Sequence, residues 1–340
     1  MSQLHQAHQE LFRREADECF SSINQLWQHC YDQKMNSSEL WHSPQQLWVR
    51  PIGDDQVCLD ASESYRLNAW SFGQLCRLAN VSRDTVNRLS PNTVSSVFAE
   101  TLPSHARPIQ LLATGDVVRS IHGTAYTRLH NVDLLTVVRE FAVDFQAPPV
   151  GLNGGTGLYC GEQDMFCFLI DPTGWTDING EAFAPGFFLW NSEVGRRSLG
   201  VSTFWFQAVC GNHIVWDAIE VNEVRRKHTT NVRDSLNDVR RMLEQLVQKR
   251  DARRDGFIRT VQTAMGTQLG TDVEDVCKEL GKHGVRAKLA KLVIQEAQQR
   301  SGLTVFALVD ALTRLSQQQK NAGERLELDQ QAASLLTSIA

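Results

Sequence analysis

Residues 186–216 read "GFFLWNSEVGRRSLGVSTFWFQAVCGNHIVW". Two aromatic-rich apolar runs, "GFFLWN" and "LGVSTFWFQAVC", flank a polar segment holding Asn191, Ser192, Gly195, Arg196 and Arg197. Aromatic and β-branched side chains suit a pleated surface, and Asn, Ser and Gly suit a tight reversal. The stretch therefore predicts two strands joined by a turn. Just upstream, "GLYCG" and "MFCFLI" read as further strands, so residues 147–217 form a strand-rich centre.

Outward from that centre the periodicity changes. Toward the N-terminus, "IQLLAT" and "VVRSIHG" flank Gly115-Asp116 as a strand pair, and "QLWVRP" and "QVCLD" flank Gly53-Asp54 as another. Leu4, Leu11, Phe12, Cys19, Phe20, Ile23, Leu26, Trp27 and Cys30 recur at helical spacing, which predicts an amphipathic helix at the start. Asn68 and Ser82 are placed to cap helices over "AWSFGQLCRLA" and "RDTVNRL", Ser90-Pro91 to open a third, and Asn131 to cap "VDLLTVVREFAVDF". From about Val221 onward the pattern is helical, with "RRKH" at 225–228 opening a basic helix. Val232, Leu236, Val239, Leu243 and Leu246 alternate spacings of four and three, a coiled-coil-like seam that offers a route to a homo-oligomer. Four more helices are expected at "DVEDVCKEL", "RAKLAKLVIQEAQ", "TVFALVDALTRLSQQ" and "ERLELDQQAASLLTSI". The fold class is α+β: a central, mainly antiparallel sheet flanked by helices, with a helical C-terminal third. A core domain is expected over 1–220, with a helical region over 221–340 packed on it.

Composition narrows the function. A net charge of −5 over 340 residues excludes a wholly basic nucleic-acid coat. Eleven Lys or Arg against six Asp or Glu between Glu223 and Arg259 nevertheless leave a local basic stripe, and local stripes set a binding footprint. The sequence holds no apolar run of membrane-spanning length, and the polar start does not read as a signal peptide. The 8 cysteines lack paired spacing and several sit in apolar runs, which suits reduced thiols and a cytoplasmic location.

Few motifs carry chemistry by themselves. Cys210 and His213 in "CGNH" have ligand-like spacing, but no second pair completes a zinc set. "GLNGGTG" at 151–157 lacks the Lys-Ser/Thr ending of a phosphate loop. Glu162 and Asp164 read as solvated turn residues. No metal, cofactor or catalytic residue is expected from these stretches. "FGQLCRLANVSRDTVNRL" at 72–89 has helix-turn-helix spacing and resembles the reading head of lactose-repressor-type regulators. The structural alternative is a serine-capped helical hairpin with Leu75, Leu78, Val81, Val86 and Leu89 buried. That reading is preferred, because such heads stand at a chain start and this one does not.

A longer resemblance runs through four stretches in order: the hairpin with its following "LSP", "GDVVRSIHGTAYTRLHNVDLL", the opening "GFFLWNSEVGRRSLGVSTFWFQAVCGNHIVW", and "TVFALVDALTRLSQQQKNAGERLELDQQAASLL". Together they are similar to the phage- and plasmid-borne family catalogued as domain of unknown function nine-three-two. The resemblance implies a protein of a mobile element, and with it DNA transactions or host takeover. In "NSEVGRR", Asn191, Ser192 and backbone amides beside Arg196 and Arg197 suit an anion, of which a nucleic-acid phosphate is the obvious one. Arg225, Arg226 and Lys227 extend the footprint, and an outward-facing aromatic among Trp190, Trp205 and Phe206 offers a stacking surface for a base. The expected function is a nucleic-acid-binding accessory protein, with single-stranded DNA as the favoured partner. The alternative is a non-catalytic module that binds a host protein through the seam helix.

Overall fold

A computed structural model describes residues 18–338 apart from 54–55, 104–106, 150–156, 179, 210–211, 217–223, 300–301, 318–327, 329–330 and 333; side chains are not described for 208–209, 212–216 and 224–225. The fold class is as expected, α+β with a helical C-terminal part. Its strands fall into two sheets.

The first sheet runs β1 (Ser37–His42), β5 (Ile109–Thr114), β6 (Val117–Gly123), β4 (Ser64–Leu67), β3 (Gln56–Asp60), β2 (Trp48–Ile52). Neighbours are antiparallel except the parallel pair β4–β6. The two hairpins read from the sequence are present, and Gly53 and Gly115 take the left-handed φ of +63° and +55° that their tight turns require. Edge strands β1 and β2 are linked by residues 43–47 alone. That link reaches at most about 20 Å, less than the roughly 24 Å across a flat six-stranded sheet, so the sheet curls.

Against one face of this sheet lies the helical hairpin: α2 (Ala69–Leu78), α3 (Arg83–Val86) and α4 (Pro91–Thr101), after the N-terminal α1 (Ile23–Met35). Asn68, Ser82 and Ser90 cap as read, accepting from the amides of Ser71, Thr85 and Thr93. Asn80 supplies the left-handed turn residue at φ +55°. Leu75 and Val86 are buried, Leu78 and Val81 pack against the same core, and Leu89 is 36% exposed. Leu89 is a correction: α3 ends after one turn at Val86, so Leu89 falls in the next turn and not on the helix face. A single turn is also far shorter than an element that fills a major groove.

The second sheet is antiparallel throughout. Its order is β12 (Asn212–Trp216), β11 (Leu199–Val209), β10 (Glu181–Asn191), β8 (Met165–Ile170), β7 (Leu158–Cys160), with β9 (Thr176–Ile178) on β10 and β13 (Val224–Arg226) on β11. Phe187, Leu189, Leu199 and Val201 face α1, α5 (Asn131–Arg139) and α6 (Ser235–Gln248). Further along the same face, Phe183 and Trp205 meet α7 (Arg250–Gly266), α8 (Val273–Lys282), α9 (Ala287–Gln298), α10 (Val305–Gln317) and the tail residues Ala332, Leu335 and Leu336. The opposite face is an aromatic layer of Tyr159, Phe166, Phe168, Phe188, Trp190, Phe204 and Phe206, all buried.

Three further expectations are corrected. "RRKH" does not open a helix: Val224–Arg226 is a strand on the edge of β11, and α6 starts at Ser235. The seam is not free for an oligomer or a host protein, because Val232, Val239, Leu243 and Leu246 are buried in this chain's own core and Leu236 packs beside them. Asn131 does not cap α5; it is the first helical residue, and its side chain points elsewhere. The boundary at 220–221, Cys210, the loop 151–156 and the part before residue 18 of the helix expected over Leu4 to Cys30 lie outside the described residues, as does the side chain of His213; within them that helix begins only at Ile23, and Cys19 instead bridges to Tyr159. Among the described residues no helix is long and apolar enough to cross a membrane.

Candidate functional site

The turn between β10 and β11 is where the two sheets meet. Alternation sends Asn191 to the helix-covered face, where its Nδ2 donates to the Leu129 carbonyl at 2.9 Å and to Asn131 Oδ1 at 2.8 Å. Ser192 Oγ donates to the Gln163 carbonyl at 2.5 Å and accepts from the Arg196 amide at 2.9 Å. Gly195 closes the turn at φ +77°, and a Cβ there would lie 2.5 Å from His122 Cε1. Conformation and space both require glycine.

Glu193 is the hub. It is 2% exposed, yet its Oε2 accepts from Arg119 Nη1 at 3.0 Å and its Oε1 accepts from the Asn131 amide at 2.7 Å. His130 Nδ1 lies 3.6 Å from the same Oε1. Burial pushes this carboxyl up, but His130, Arg119 and the Asn131 amide together overcome it and hold it down at about 2. Glu193 therefore caps α5 from a turn distant in sequence, placing negative charge at a helix N-terminus. Its own carbonyl accepts from Tyr126 Oη at 2.9 Å and from Arg128 Nη1. Arg128, also buried, donates to Glu39 at 2.8 Å and Gln110 at 2.9 Å on the first sheet. The Val194 carbonyl accepts from Trp70 Nε1 at 2.8 Å and His122 Nε2 at 3.0 Å. The hairpin helix α2 is thus docked on the turn.

A ring stack lines the junction: His122 lies on Tyr126 with centroids 3.6 Å apart, and Tyr126 on His228 at 5.3 Å. Burial above all, and then nearby Arg128, pushes His122 down to about 3; burial likewise pushes His228 down to about 4. Both imidazoles are neutral near pH 7.

Of the residues read as a binding surface, Asn191, Ser192 and Trp190 are buried. Trp190, 4% exposed, lies in the aromatic layer 5.3 Å from Phe188, and it sits opposite Gly200, where a Cβ would come within 2.0 Å of its ring. Trp205 and Phe206 are buried as well. None of the three presents a stacking surface, because each is buried among neighbouring side chains. Arg196 and Arg197 are half-buried and tied back to the β7–β8 turn. Arg196 Nη1 donates to Gln163 Oε1, and Arg197 Nε to Asp164 Oδ2 at 3.2 Å. Asp164 is consequently buried and ion-paired, against the expectation of a solvated carboxylate.

The pairing of β13 with β11 sets Arg226 opposite Leu199 and Arg225 opposite Gly200. The two basic stretches that the sequence separates therefore lie side by side. Arg226 and Lys227 are exposed, and Arg226 Nη2 meets Asp238 Oδ2 at 3.1 Å. Sequence reasoning missed Glu193, Arg119, Tyr126, Arg128 and His130. The signal was there: "GDVVRSIHGTAYTRLHNVDLL" and "NSEVGRR" are polar strings between apolar strands, and these two stretches build one junction. Among the described residues no group of three or more His, Cys, Asp or Glu is placed to hold a metal ion.

One family model, described as Domain of unknown function (DUF932), matches residues 119–339 and so takes in the residues of both stretches that form the junction. No curated protein and no solved structure matches the chain.

Proposed function

We propose, for a chain that belongs to the DUF932 family, that it binds single-stranded nucleic acid along the basic edge of Arg196, Arg197, Arg226 and Lys227, as a non-catalytic accessory protein of a phage, plasmid or integrated element. The observation that carries this reading is the β11–β13 pairing, which gathers two basic stretches beside one turn. An exposed pair such as Arg226–Asp238 contributes about 0–1 kcal/mol, so a phosphate can take the place of Asp238 at little cost. With Trp190, Trp205 and Phe206 buried, the reading rests on charge and not on base stacking by these residues. Phosphate contacts position a strand without reading its sequence.

Anisotropy titrations with labelled single- and double-stranded oligonucleotides at two salt concentrations test it. Affinity for single strands is expected to fall with salt by a log–log slope of about −0.7 per contacted phosphate. Combining Arg226→Ala with Lys227→Ala should weaken binding to all sequences alike and make that slope shallower by up to about 1.4. Flat titrations at low salt with folded protein would end the nucleic-acid reading and leave a protein partner as the alternative.

A further inference from the structure

Beneath α1, at the edge strand β7 of the second sheet, two cysteines from distant parts of the chain face each other. Cys30 Sγ donates to Cys160 Sγ at 3.8 Å. Cys160 is 4% exposed and Cys30 is 0% exposed. Asn131 Nδ2 donates to the same Cys160 sulfur at 3.8 Å, which links the thiol through Asn131 Oδ1 to Asn191 of the turn. His29, one residue before Cys30, is at the surface and near enough to Cys160 to favour its thiolate. The Phe20 ring tilts against His29 at 4.9 Å.

We infer that Cys160 and Cys30 form a peroxide-oxidised thiol pair, in which Cys160 is oxidised first and Cys30 resolves it to a disulfide. Two donors and an imidazole converge on Cys160, an arrangement that stabilises a thiolate. Hydrogen bonds from Cys30 and Asn131 favour the thiolate at Cys160 against the cost of its burial, and burial favours the neutral thiol at Cys30. Glu193 is the nearby charge that opposes the thiolate. Geometry separates the roles: Cys160 accepts from both Cys30 and Asn131 and is the less enclosed sulfur, whereas Cys30 is wholly buried.

In the first step the Cys160 thiolate attacks one peroxide oxygen. An S–O bond forms, the O–O bond breaks, and the departing hydroxide takes the proton held on His29 to leave as water. In the second step the Cys30 sulfur attacks the Cys160 sulfenic acid. An S–S bond forms, the S–O bond breaks, and hydroxide leaves with the Cys30 proton as a second water. The peroxide is reduced by two electrons, one from each thiol. Closing 3.8 Å to the roughly 2.05 Å of a disulfide requires a shift of under about 2 Å shared between two side chains. Only a small oxidant fits the 4% exposure of Cys160, and Cys30 is wholly buried.

The test uses the reduced full-length protein and substoichiometric hydrogen peroxide, followed by intact mass and a non-reducing peptide map. The expected result is loss of two hydrogens, with the Cys30 and Cys160 peptides cross-linked before Cys277 is modified. Cys277 is the more exposed thiol, so exposure alone predicts the opposite order. Cys30→Ser should accumulate sulfenic acid at Cys160, trapped by a dicarbonyl probe, and His29→Gln should slow the first step roughly tenfold. Prior oxidation at Cys277, a cross-link between any other pair, or no loss of two hydrogens overturns the inference. These readouts need only the unaltered chain, so a variant that fails to fold leaves the test intact.

Discussion

Glu193 and the two stacked histidines make opposite demands on the proton. The Glu193 carboxyl, at about 2 in the folded chain, lies below its ordinary value of 4.5, so it favours the fold above about 4.5 and loses that contribution only as pH falls toward 2. His122 and His228, at about 3 and about 4, lie below the ordinary 6.5. Above 6.5 they are neutral folded or unfolded and contribute nothing. Below it the unfolded chain takes their protons first, so the fold is progressively disfavoured down to about 4 and then 3. Urea unfolding should therefore show stability falling between pH 6.5 and 5, by up to about 2.7 kcal/mol per pH unit where both histidines take part. That loss comes well before Glu193 titrates. His228→Phe keeps a ring on Tyr126 and should roughly halve the slope; an unchanged slope would take His228 out of the account.

At the level of strands and helices, the β10–β11 hairpin depends on one small residue facing one large one. Gly200 lies opposite Trp190, and an added Cβ would overlap the indole. Gly200→Ala is expected to cost at least about 1–3 kcal/mol in thermal or urea melts. Gly256→Ala, in α7 with open space around it, should instead stabilise by up to about 1 kcal/mol. Elements of this kind were legible wherever their cause is local. Asn68, Ser82 and Ser90 cap because each bonds an amide three residues on, and the strands of the second sheet announce themselves through apolar runs. β1 and β4 escaped notice because "SSELWH" and "SYRL" are short and half exposed, without an apolar signature. β13 was hidden because "VRR" reads as charge; only the neighbouring edge of β11 makes it a strand. Alternation divided the aromatics between two faces but could not say that Trp190, Trp205 and Phe206 are buried on either. Asn131 was misread because the group that satisfies its amide sits 62 residues away on Glu193. The pairing of Cys30 with Cys160 spans 130 residues and had no local trace either.

Across the whole molecule, the tail belongs to the core: Ala332, Leu335 and Leu336 pack with Leu308 and Leu312 of α10 in the cluster that also holds Phe183 and Trp205 of the second sheet. Removing residues from Gly302 onward should uncover that cluster and give insoluble protein; a soluble truncation with an unchanged melt would count against it. The junction at Glu193 bears on how such a chain comes apart. Arg119 and Arg128 approach it from the first sheet and from the segment leading into α5, whereas the carboxylate and carbonyls they meet belong to the second sheet. Separating the sheets would strand buried charges, and breaking one such pair costs about 3–5 kcal/mol, a sizeable share of the roughly 5–15 kcal/mol that holds a native protein together. A chain of 340 residues with two sheets is of a size at which populated intermediates are common. Because the halves depend on each other at this junction, unfolding should be a single cooperative event, with partly unfolded forms too rare for proteases to exploit.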